Sequence, residues 1–255
     1  MSKIKAVFMD KDGSTIIAPN VLPENLAGLM VKYSNIHWIM ATGRSFCNVL
    51  KSPMAKILPL KSLHIVEGGA RIMDLSGECA ICNPLTNHEL EHFFEIVPLE
   101  HLHYLFYAVD DVGGFVYSTE IEAWQDKLAI LRATADLGEF RGWFNEVHPA
   151  KLSVRVKQDI ELPGLNWTQN DNYVDVTSEG IHKGSAIVDM LKILAISPSE
   201  AVFVFNDFND LPVIKHPGLS ELVTIKVGDL LPEVTANYHV ATPFAVAEVL
   251  EQLLN

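Results

Sequence analysis

The sequence predicts an α/β fold: a Rossmann-like core with a doubly wound parallel sheet and an inserted α+β cap domain. Three observations support this prediction. Short apolar strands alternate with helices over residues 1–82, and the same alternation returns over residues 176–255. Between them, residues 83–175 contain strand pairs and helices in a different order, which is typical of a separate α+β module. Because alternating strands and helices indicate a parallel sheet with right-handed crossovers, we assign the core to the two outer segments.

The elements of the first core segment are predicted from the spacing of apolar residues. Apolar runs that end at polar residues indicate buried parallel strands, and Leu26, Leu29 and Met30 recur at helical spacing. Ser45 is a candidate helix cap. We therefore predict strands at 5–9, 36–41 and 63–66, helices at 23–33 and 45–50, and a hairpin at 71–74 and 78–82.

The same criteria give the elements of the cap and of the second core segment. In the cap we predict helices at 88–97 and 121–135 and strands at 104–109, 115–118, 151–157 and 173–176. In the second core segment we predict helices at 183–194, 209–215 and 244–254 and strands at 201–205 and 222–227. The sequence has no internal repeat and no low-complexity segment.

The composition narrows the class of protein and its partners. The 255 residues are 49% hydrophobic and 20% charged, as in ordinary globular proteins. With a net charge of −13 the chain gains little from a polyanion, so we expect no nucleic-acid partner. The sequence contains no run of 18 apolar residues, so we predict no membrane span. Asp10, Lys11 and Asp12 interrupt the first apolar run, so we expect no signal peptide. We expect a cytoplasmic protein, and the sequence indicates no particular oligomeric state.

Cys79 and Cys82 have Cys-x-x-Cys spacing, which occurs in zinc and redox sites. A zinc site needs about four ligands, and the chain has no second pair. Residues three apart on a strand also point to opposite faces. We therefore interpret the two cysteines as small buried residues of a hairpin.

Four polar clusters lie at strand ends or helix starts, where open parallel sheets bind their ligands. The first contains Asp10 and Asp12, two carboxylates that could share one cation, followed by Gly13, which permits a sharp turn. A carboxylate held against Mg²⁺ can attack phosphorus, and a second can protonate the leaving oxygen. The alternative is an ordinary acidic loop.

The second and third clusters also allow two interpretations each. Thr42, Gly43 and Arg44 follow a strand and offer a hydroxyl and backbone amides to an anion, unless Thr42 merely caps the next helix. Lys183 begins a helix, where a cation opposes the helix dipole. A nearby anion such as phosphate would explain this lysine, and a solvated side chain is the alternative.

The fourth cluster contains Asn206, Asp207, Asn209 and Asp210, directly after an apolar strand. These side chains could supply the remaining oxygen ligands of Mg²⁺, or one of them could cap the next helix. Each cluster alone is a weak signal. All four in this order, each at a strand end or helix start, are difficult to explain as coincidence.

On these residues the sequence resembles the haloacid dehalogenase (HAD) superfamily, in its capped, Cof-type (subclass IIB) branch. The resemblance covers the whole core, including residues 67–70, whereas the cap is matched by placement and element pattern only. Residues 209–212 are also mildly similar to phosphatases acting on mannosyl-3-phosphoglycerate. The four family motifs correspond to Asp10-Lys11-Asp12-Gly13-Ser14, Thr42-Gly43-Arg44, Lys183 and residues 206–212.

The resemblance implies a Mg²⁺-dependent phosphatase that hydrolyses a small phosphorylated metabolite, such as a sugar phosphate, through an aspartyl-phosphate intermediate. Asp10 would be the nucleophile and Asp12 the general acid and base, while Thr42 and Lys183 would bind the phosphoryl group. The implied substrate-binding residues are Gly43, Arg44, Glu67, Gly68 and Asn209. The implied residues around the metal are Asp10, Asp12, Asp207, Asn206 and Asp210.

The fourth motif departs from the usual Gly-Asp-x-x-Asn-Asp of the family. Aligned without a gap, Asn206 takes the place of the metal-binding Asp, and with one deletion Asp207 takes it. We favour Asp207, because a carboxylate suits the cation better than an amide. Gly68 also replaces a usual Asn, and Ser14 replaces a usual Thr.

Two other functions remain open on the same fold. A phosphotransferase or phosphomutase would hand the phosphoryl group to a sugar instead of water. A regulatory module that binds a phospholigand is motivated by the altered fourth motif, because weak Mg²⁺ retention would leave binding without turnover. The intact set of Asp10, Asp12, Thr42 and Lys183 favours the enzyme, because such residues act as a unit.

Overall fold

The computed structural model describes residues 3–18, 20–109, 111–125 and 128–255. No helix within this part of the chain is long and apolar enough to cross a membrane. The α-helices are α1 (Glu24–Lys32), α2 (Phe46–Leu50), α3 (Asn87–Ile96), α4 (Leu137–Gly142), α5 (Lys183–Leu194), α6 (Leu211–Ile214) and α7 (Val246–Leu254). The strands are β1 (Ala6–Met9), β2 (His37–Met40), β3 (Leu63–Val66), β4 (Arg71–Asp74), β5 (Cys79–Cys82), β6 (Leu102–Ala108), β7 (Gly114–Tyr117), β8 (Ile130–Thr134), β9 (Lys151–Val156), β10 (Asn166–Asn170), β11 (Tyr173–Thr177), β12 (Ala201–Phe205), β13 (Val223–Val227) and β14 (Tyr238–Val240).

The core is a five-stranded sheet in the order β14-β13-β12-β1-β2, and every neighbouring pair of strands is parallel. Helices α1, α2 and α7 cover one face, where Leu26, Val49 and Leu250 are fully buried. Helices α5 and α6 cover the other face through Ile187 and Val213. Because both faces are covered, the central strands β1 and β12 are apolar along their whole length. The predicted doubly wound core is thereby confirmed.

A three-stranded antiparallel sheet, β3-β4-β5, continues from the edge of the core. A parallel bridge between Ala41 and Ile65 attaches β3 beside the end of β2. Strand β5 is the outer strand of this sheet, and its Cys79 and Cys82 are exposed. The prediction that the two cysteines are buried is therefore wrong, because an edge strand lacks a neighbour that would cover them.

The inserted segment forms a six-stranded sheet in the order β10-β11-β9-β6-β7-β8. Helices α3 and α4 cover one face of this sheet, and side chains such as Phe93, Phe140 and Leu152 are fully buried there. Lys151, which neighbours Leu152 on β9, lies on the opposite face, because side chains alternate along a strand. The inserted α+β cap is thus confirmed in its architecture, and its boundaries at residues 83 and 175 remain a prediction.

The predicted helix at residues 121–135 is wrong. The structure has a short 3₁₀-helix at Ile121–Ala123 and strand β8, while residues 126 and 127 lie outside the described part. Strand β8 pairs in parallel with β7, and its β-branched Ile130 and Thr134 suit a strand. The sequence also did not predict β10, because its five residues, Asn166–Asn170, are mostly polar and lack an apolar alternation.

Glu89 joins the two ends of the insertion. Its carboxylate accepts hydrogen bonds from the backbone N–H and the hydroxyl of Thr86 at 2.7 and 2.8 Å, and thereby caps α3. The same carboxylate accepts from the Ser178 hydroxyl at 3.0 Å and from the Glu179 backbone N–H at 2.7 Å. Since Thr86 lies just before α3 and Ser178 just after β11, the two connecting segments are held side by side.

Buried His64 on β3 predicts a loss of stability in acid. Its ring Nδ1 accepts a hydrogen bond from the Met40 backbone N–H at 3.2 Å, and burial lowers the pKa of His64 from 6.5 to about 4. The unfolded chain therefore binds a proton that the folded protein excludes. The stabilising effect is complete above pH 6.5 and is lost as the pH falls from 6.5 towards 4. Between pH 7 and pH 5 we expect this residue to cost about 2 kcal/mol of unfolding free energy.

Urea unfolding at the two pH values measures this effect. A His64→Asn variant keeps an acceptor for the Met40 N–H but cannot titrate, so its unfolding free energy should fall by about 2 kcal/mol less over the same range. Equal losses in the wild type and the variant would contradict the assignment.

Candidate functional site

The predicted site residues converge at the carboxyl ends of β1, β2 and β12 and at the start of α5. Asp10 follows β1, and the Lys183 ammonium donates to its Oδ1 at 2.6 Å. The same ammonium donates to Asp210 Oδ1 at 2.7 Å and to Asn209 Oδ1 at 3.0 Å. Lys183 and Asp210 are buried to 2% and 0% exposure, so this lysine is not the solvated side chain that was the alternative interpretation.

Burial and charge act against each other in this buried group. Burial raises the pKa of the Asp10 carboxyl above its usual value, the Asp210 and Asp12 charges add to the rise, and the Lys183 charge opposes it. Burial alone would lower the pKa of Lys183, but the Asp10 and Asp210 carboxylates outweigh it and raise that pKa. Lys183 therefore stays protonated and offers a fixed positive charge beside Asp10.

Asp12 lies at the rim of the site, between two cations. Arg44 donates from Nε to Asp12 Oδ2 at 2.8 Å, and the Lys11 ammonium lies 3.4 Å from Oδ1. Burial would raise the pKa of Asp12, but the hydrogen bond from Arg44 and the charges of both cations hold that pKa below its usual range. The Asp12 side chain is 47% exposed, so it remains accessible to a ligand.

Thr42 and Gly43 form the turn after β2. Thr42 is buried, and its hydroxyl accepts a hydrogen bond from the Arg44 backbone N–H at 3.1 Å. The Gly43 carbonyl accepts from the ammonium of Lys151 at 2.6 Å, and Lys151 also pairs with Asp175 at 2.8 Å. Both of these residues belong to the sheet of the cap, so the cap closes directly onto the turn that contains Thr42.

Asn206 and Asp207 point in different directions, although they are adjacent. The Asn206 Oδ1 accepts from the Ser14 hydroxyl at 2.9 Å, and this hydroxyl also donates to Asp10 Oδ2 at 3.2 Å. Asp207 instead accepts from the Phe208 backbone N–H at 2.6 Å and from the side chain of Asn170 on β10. Asn206 is therefore the neighbour of Asp10, and Asp207 forms a contact with the cap.

Glu67 and Gly68 follow β3 beside the turn after β2. The Glu67 backbone N–H donates to the Arg44 carbonyl at 2.9 Å, and the Gly68 N–H donates to the Thr42 carbonyl at 3.0 Å. The Glu67 side chain is buried and pairs with Arg71 at 3.1 Å. Burial raises the pKa of Glu67 despite this partner. The two residues thus hold the Thr42 turn through their backbone amides.

Sequence reasoning missed three residues of the site: Lys11, Lys151 and Asn170. Lys11 lies inside the first motif, and its unusual burial could not be read from the sequence. Lys151 and Asn170 reach the site only because the cap folds over the core. Lys151 is more than a hundred residues from its partner Gly43 in the sequence, and Asn170 is thirty-seven residues from its partner Asp207. The one available signal was that charged Lys151 occupies the alternating strand at 151–157.

The oxygen donors around Asp10 fit Mg²⁺. Within the described ranges, no three His, Cys, Asp or Glu side chains converge as a metal-ligand set. Mg²⁺ needs fewer, because it is usually held by one or two carboxylates together with water and substrate phosphate. Asp10 supplies a carboxylate and Asn206 a neighbouring amide oxygen, both near the Ser14 hydroxyl. Asp210 is engaged by Lys183 and by the Asp207 backbone N–H at 3.2 Å.

Comparison with known proteins assigns this chain to a family. The family model of the haloacid dehalogenase-like hydrolases matches residues 7–225. A search among curated proteins gives no match.

Solved structures share the fold over nearly the whole chain. One is a phosphatase of the haloalkanoate (HAD) superfamily from Bacteroides thetaiotaomicron, with 19% identity, a TM-score of 0.77 and coverage of 98% of this chain and 95% of that chain. A haloacid dehalogenase-like hydrolase from the same organism has 20% identity, a TM-score of 0.75 and coverage of 98% and 99%. A HAD subclass IIB sugar phosphatase has 15% identity, a TM-score of 0.73 and coverage of 97% and 98%.

At these identities the solved structures establish the fold alone, which includes both the parallel core and the inserted cap. The family match confirms the predicted resemblance to the haloacid dehalogenase superfamily, and the shared fold agrees with its capped, Cof-type form. The family match extends over the segments that carry Asp10, Thr42 and Lys183. The chain belongs to the haloacid dehalogenase-like hydrolases.

Proposed function

We propose that this protein is a Mg²⁺-dependent phosphatase that hydrolyses a small phosphorylated metabolite, such as a sugar phosphate, through an aspartyl-phosphate intermediate. One observation carries the proposal: the Lys183 ammonium bridges Asp10 and Asp210 at the carboxyl end of β1. A buried carboxylate beside a fixed cation is suited to attack phosphorus, because the cation also neutralises the incoming phosphoryl oxygens.

The chain's own residues perform the two chemical steps of this proposal. A carboxylate oxygen of Asp10 bonds to phosphorus while the bond from phosphorus to the ester oxygen breaks, and Asp12 gives that oxygen a proton. Asp12 then takes a proton from water, whose oxygen bonds to phosphorus and releases Asp10 and inorganic phosphate. Thr42 and Lys183 hold the phosphoryl oxygens, and Asn209 keeps the Lys183 ammonium in place through their 3.0 Å hydrogen bond.

The low pKa of Asp12 fits this double role. Arg44 and Lys11 keep its carboxylate ionised before the substrate arrives, as a base requires. A bound phosphate ester would bring its own negative charge next to the Asp12 carboxylate. The pKa of Asp12 then rises, which favours the protonated acid that the first step needs.

A phosphate-release assay tests the proposal. Purified protein is incubated with a panel of sugar phosphates and with p-nitrophenyl phosphate, in Mg²⁺ and in EDTA. We expect release in Mg²⁺ and a large loss in EDTA, because the metal would offset charge on the phosphoryl group. No release from any ester in Mg²⁺ would contradict the proposal.

We further propose that Asp10, the backbone carbonyl of Asp12 and the side chain of Asn206 hold the metal. The Asn206→Asp variant adds a carboxylate next to Asp10, so it should lower the Mg²⁺ concentration for half-maximal activity about tenfold, since ligand charge raises affinity. Asp207→Asn should leave that concentration nearly unchanged, because Asp207 bonds to Asn170 and Phe208. A strong loss of Mg²⁺ activation in Asp207→Asn would instead identify Asp207 as the ligand.

The amide at position 206 also favours a second candidate, a module that binds a phosphorylated ligand without hydrolysing it. A site with one carboxylate ligand retains Mg²⁺ weakly when no phosphate is present. Calorimetry with phosphate mimics such as tungstate or vanadate distinguishes the two functions. Tight binding of a mimic together with no turnover of the ester panel would support the module.

A further inference from the structure

Lys11, between the two catalytic candidates Asp10 and Asp12, is an unusual lysine. Its side chain is only 9% exposed, whereas lysines are almost never buried without a partner. An ammonium group has three hydrogen-bond donors. Among the described residues its polar contact is Asp12 Oδ1, at 3.4 Å, which is longer than an ordinary N–H···O hydrogen bond. The ammonium of this side chain therefore has donors available for a ligand.

Lys11 lines a cleft of about 810 Å³ that opens beside Asp12. This volume lies within the range of small-molecule sites. Three of the described lining residues, Lys11, Arg44 and Lys51, are cations, and Asp12 is the one acid among them. The cleft is thus locally cationic in a chain whose net charge is −13, which indicates an anionic occupant.

The position of Asp12 identifies which part of a substrate enters this cleft. In the proposed function, on which this inference rests, Asp12 protonates the ester oxygen, so that oxygen lies within hydrogen-bond distance of the Asp12 carboxylate. Arg44 occupies Asp12 Oδ2, so we place the ester oxygen on Oδ1, where it lies about 6 Å or less from the Lys11 ammonium. The leaving group, which is attached to this oxygen, is therefore the part that meets Lys11.

We infer that the substrate is the phosphate ester of a hydroxy acid, and that Lys11 binds the carboxylate of its leaving group. A carboxylate one or two carbons from the ester oxygen reaches the Lys11 ammonium over this distance. It supplies acceptors for the Lys11 donors beyond the long contact with Asp12. An uncharged leaving group would leave the Lys11 ammonium with Asp12, at 3.4 Å, as its anionic partner. The nearby Arg44 is already held by Asp12 at 2.8 Å.

Two matched esters test this inference. Phospholactate and propane-1,2-diol 2-phosphate differ in one group only: the first has a carboxylate where the second has a hydroxymethyl group. We expect kcat/KM of the wild type to be at least about tenfold higher for phospholactate, because one hydrogen bond to a charged group changes kcat/KM by about this factor. Lys11→Met should reduce this ratio to about twofold or less, and Lys11→Arg, which keeps the charge, should retain most of it. Lys56→Met, outside the cleft, should leave the ratio unchanged.

The ratio of the kcat/KM values for the two esters does not depend on the fraction of a variant that is folded. The wild type alone provides a second test, since lactate should inhibit hydrolysis of p-nitrophenyl phosphate more strongly than propane-1,2-diol. An equal rate for the two esters in the wild type, or an unchanged ratio in Lys11→Met, would overturn the inference while leaving the phosphatase intact. If neither the two esters nor p-nitrophenyl phosphate is hydrolysed, the proposed function fails. Calorimetry then tests the role of Lys11 by itself, and equal affinities of the wild type for the two esters would refute that role.

Discussion

Asp10→Asn should abolish phosphate release, with a loss of about 10⁴-fold or more in kcat, because an amide cannot replace the attacking carboxylate. The same change should not weaken the fold. Burial raises the pKa of Asp10, which means that the folded protein disfavours its charge, and Lys183 keeps Asp210 as a partner. We therefore expect the melting temperature to stay the same or rise while the activity disappears.

Steady-state phosphate release and thermal unfolding measure the two effects on the same preparation. Asp189→Asn is the matched control, because Asp189 is an exposed acid on α5 that pairs with Lys192 away from the site. It should keep wild-type activity. Full activity in Asp10→Asn would show that Asp10 is not the nucleophile, and a marked loss of stability would show that its charge supports the fold.

Lys183→Met should remove both activity and stability. The change leaves the buried carboxylates of Asp10 and Asp210 without the ammonium that separates them. Breaking a buried ion pair by removing one partner costs roughly 3–5 kcal/mol, because the remaining charge has no compensation. Urea unfolding at neutral pH should show a loss of this size, and phosphate release should fall to background.

The cause of this loss can be separated from a simple packing defect. If uncompensated charge is responsible, acid should restore part of the stability of Lys183→Met by protonating the carboxylates, and the double variant with Asp10→Asn should be more stable than the single one. Lys192→Met, on the exposed side of the same helix, should lose little. A double variant that is no more stable than Lys183→Met would contradict the electrostatic explanation.

The core of the fold could be predicted because its signals are local. Buried parallel strands are continuous apolar runs, and helices repeat apolar residues at a fixed spacing, so Lys183–Leu194 and Ala201–Phe205 have the predicted bounds. The cap was less predictable for the same reason. Strand β8 has only Ile130 and Thr134 as a weak local signal and depends on its pairing with β7, and β10 has no apolar face.

The position of the site could be predicted, because the topology of the sheet determines it. Carboxyl ends of parallel strands meet at one edge, and the structure accordingly places Lys183 and Asp10, 173 residues apart, 2.6 Å from each other. The direction of a single side chain after the strand could not be predicted. Asp207 turns away because it caps the following 3₁₀-helix and bonds to Asn170 of the cap, and this contact exists only in the folded protein.

The attachment at Glu89 bears on how a ligand enters the closed site. Both connecting segments are tied at one carboxylate, so they form a single pivot rather than two independent links. Strand β10 begins near this pivot, where Asn166 bonds to Ser178 and Ile181, and ends at Asn170 about 13 Å further along. A rotation of the cap about this pivot would displace Asn170 further than Asn166, so we expect the contact between Asn170 and Asp207, next to Asn206, to separate before the contacts of Asn166.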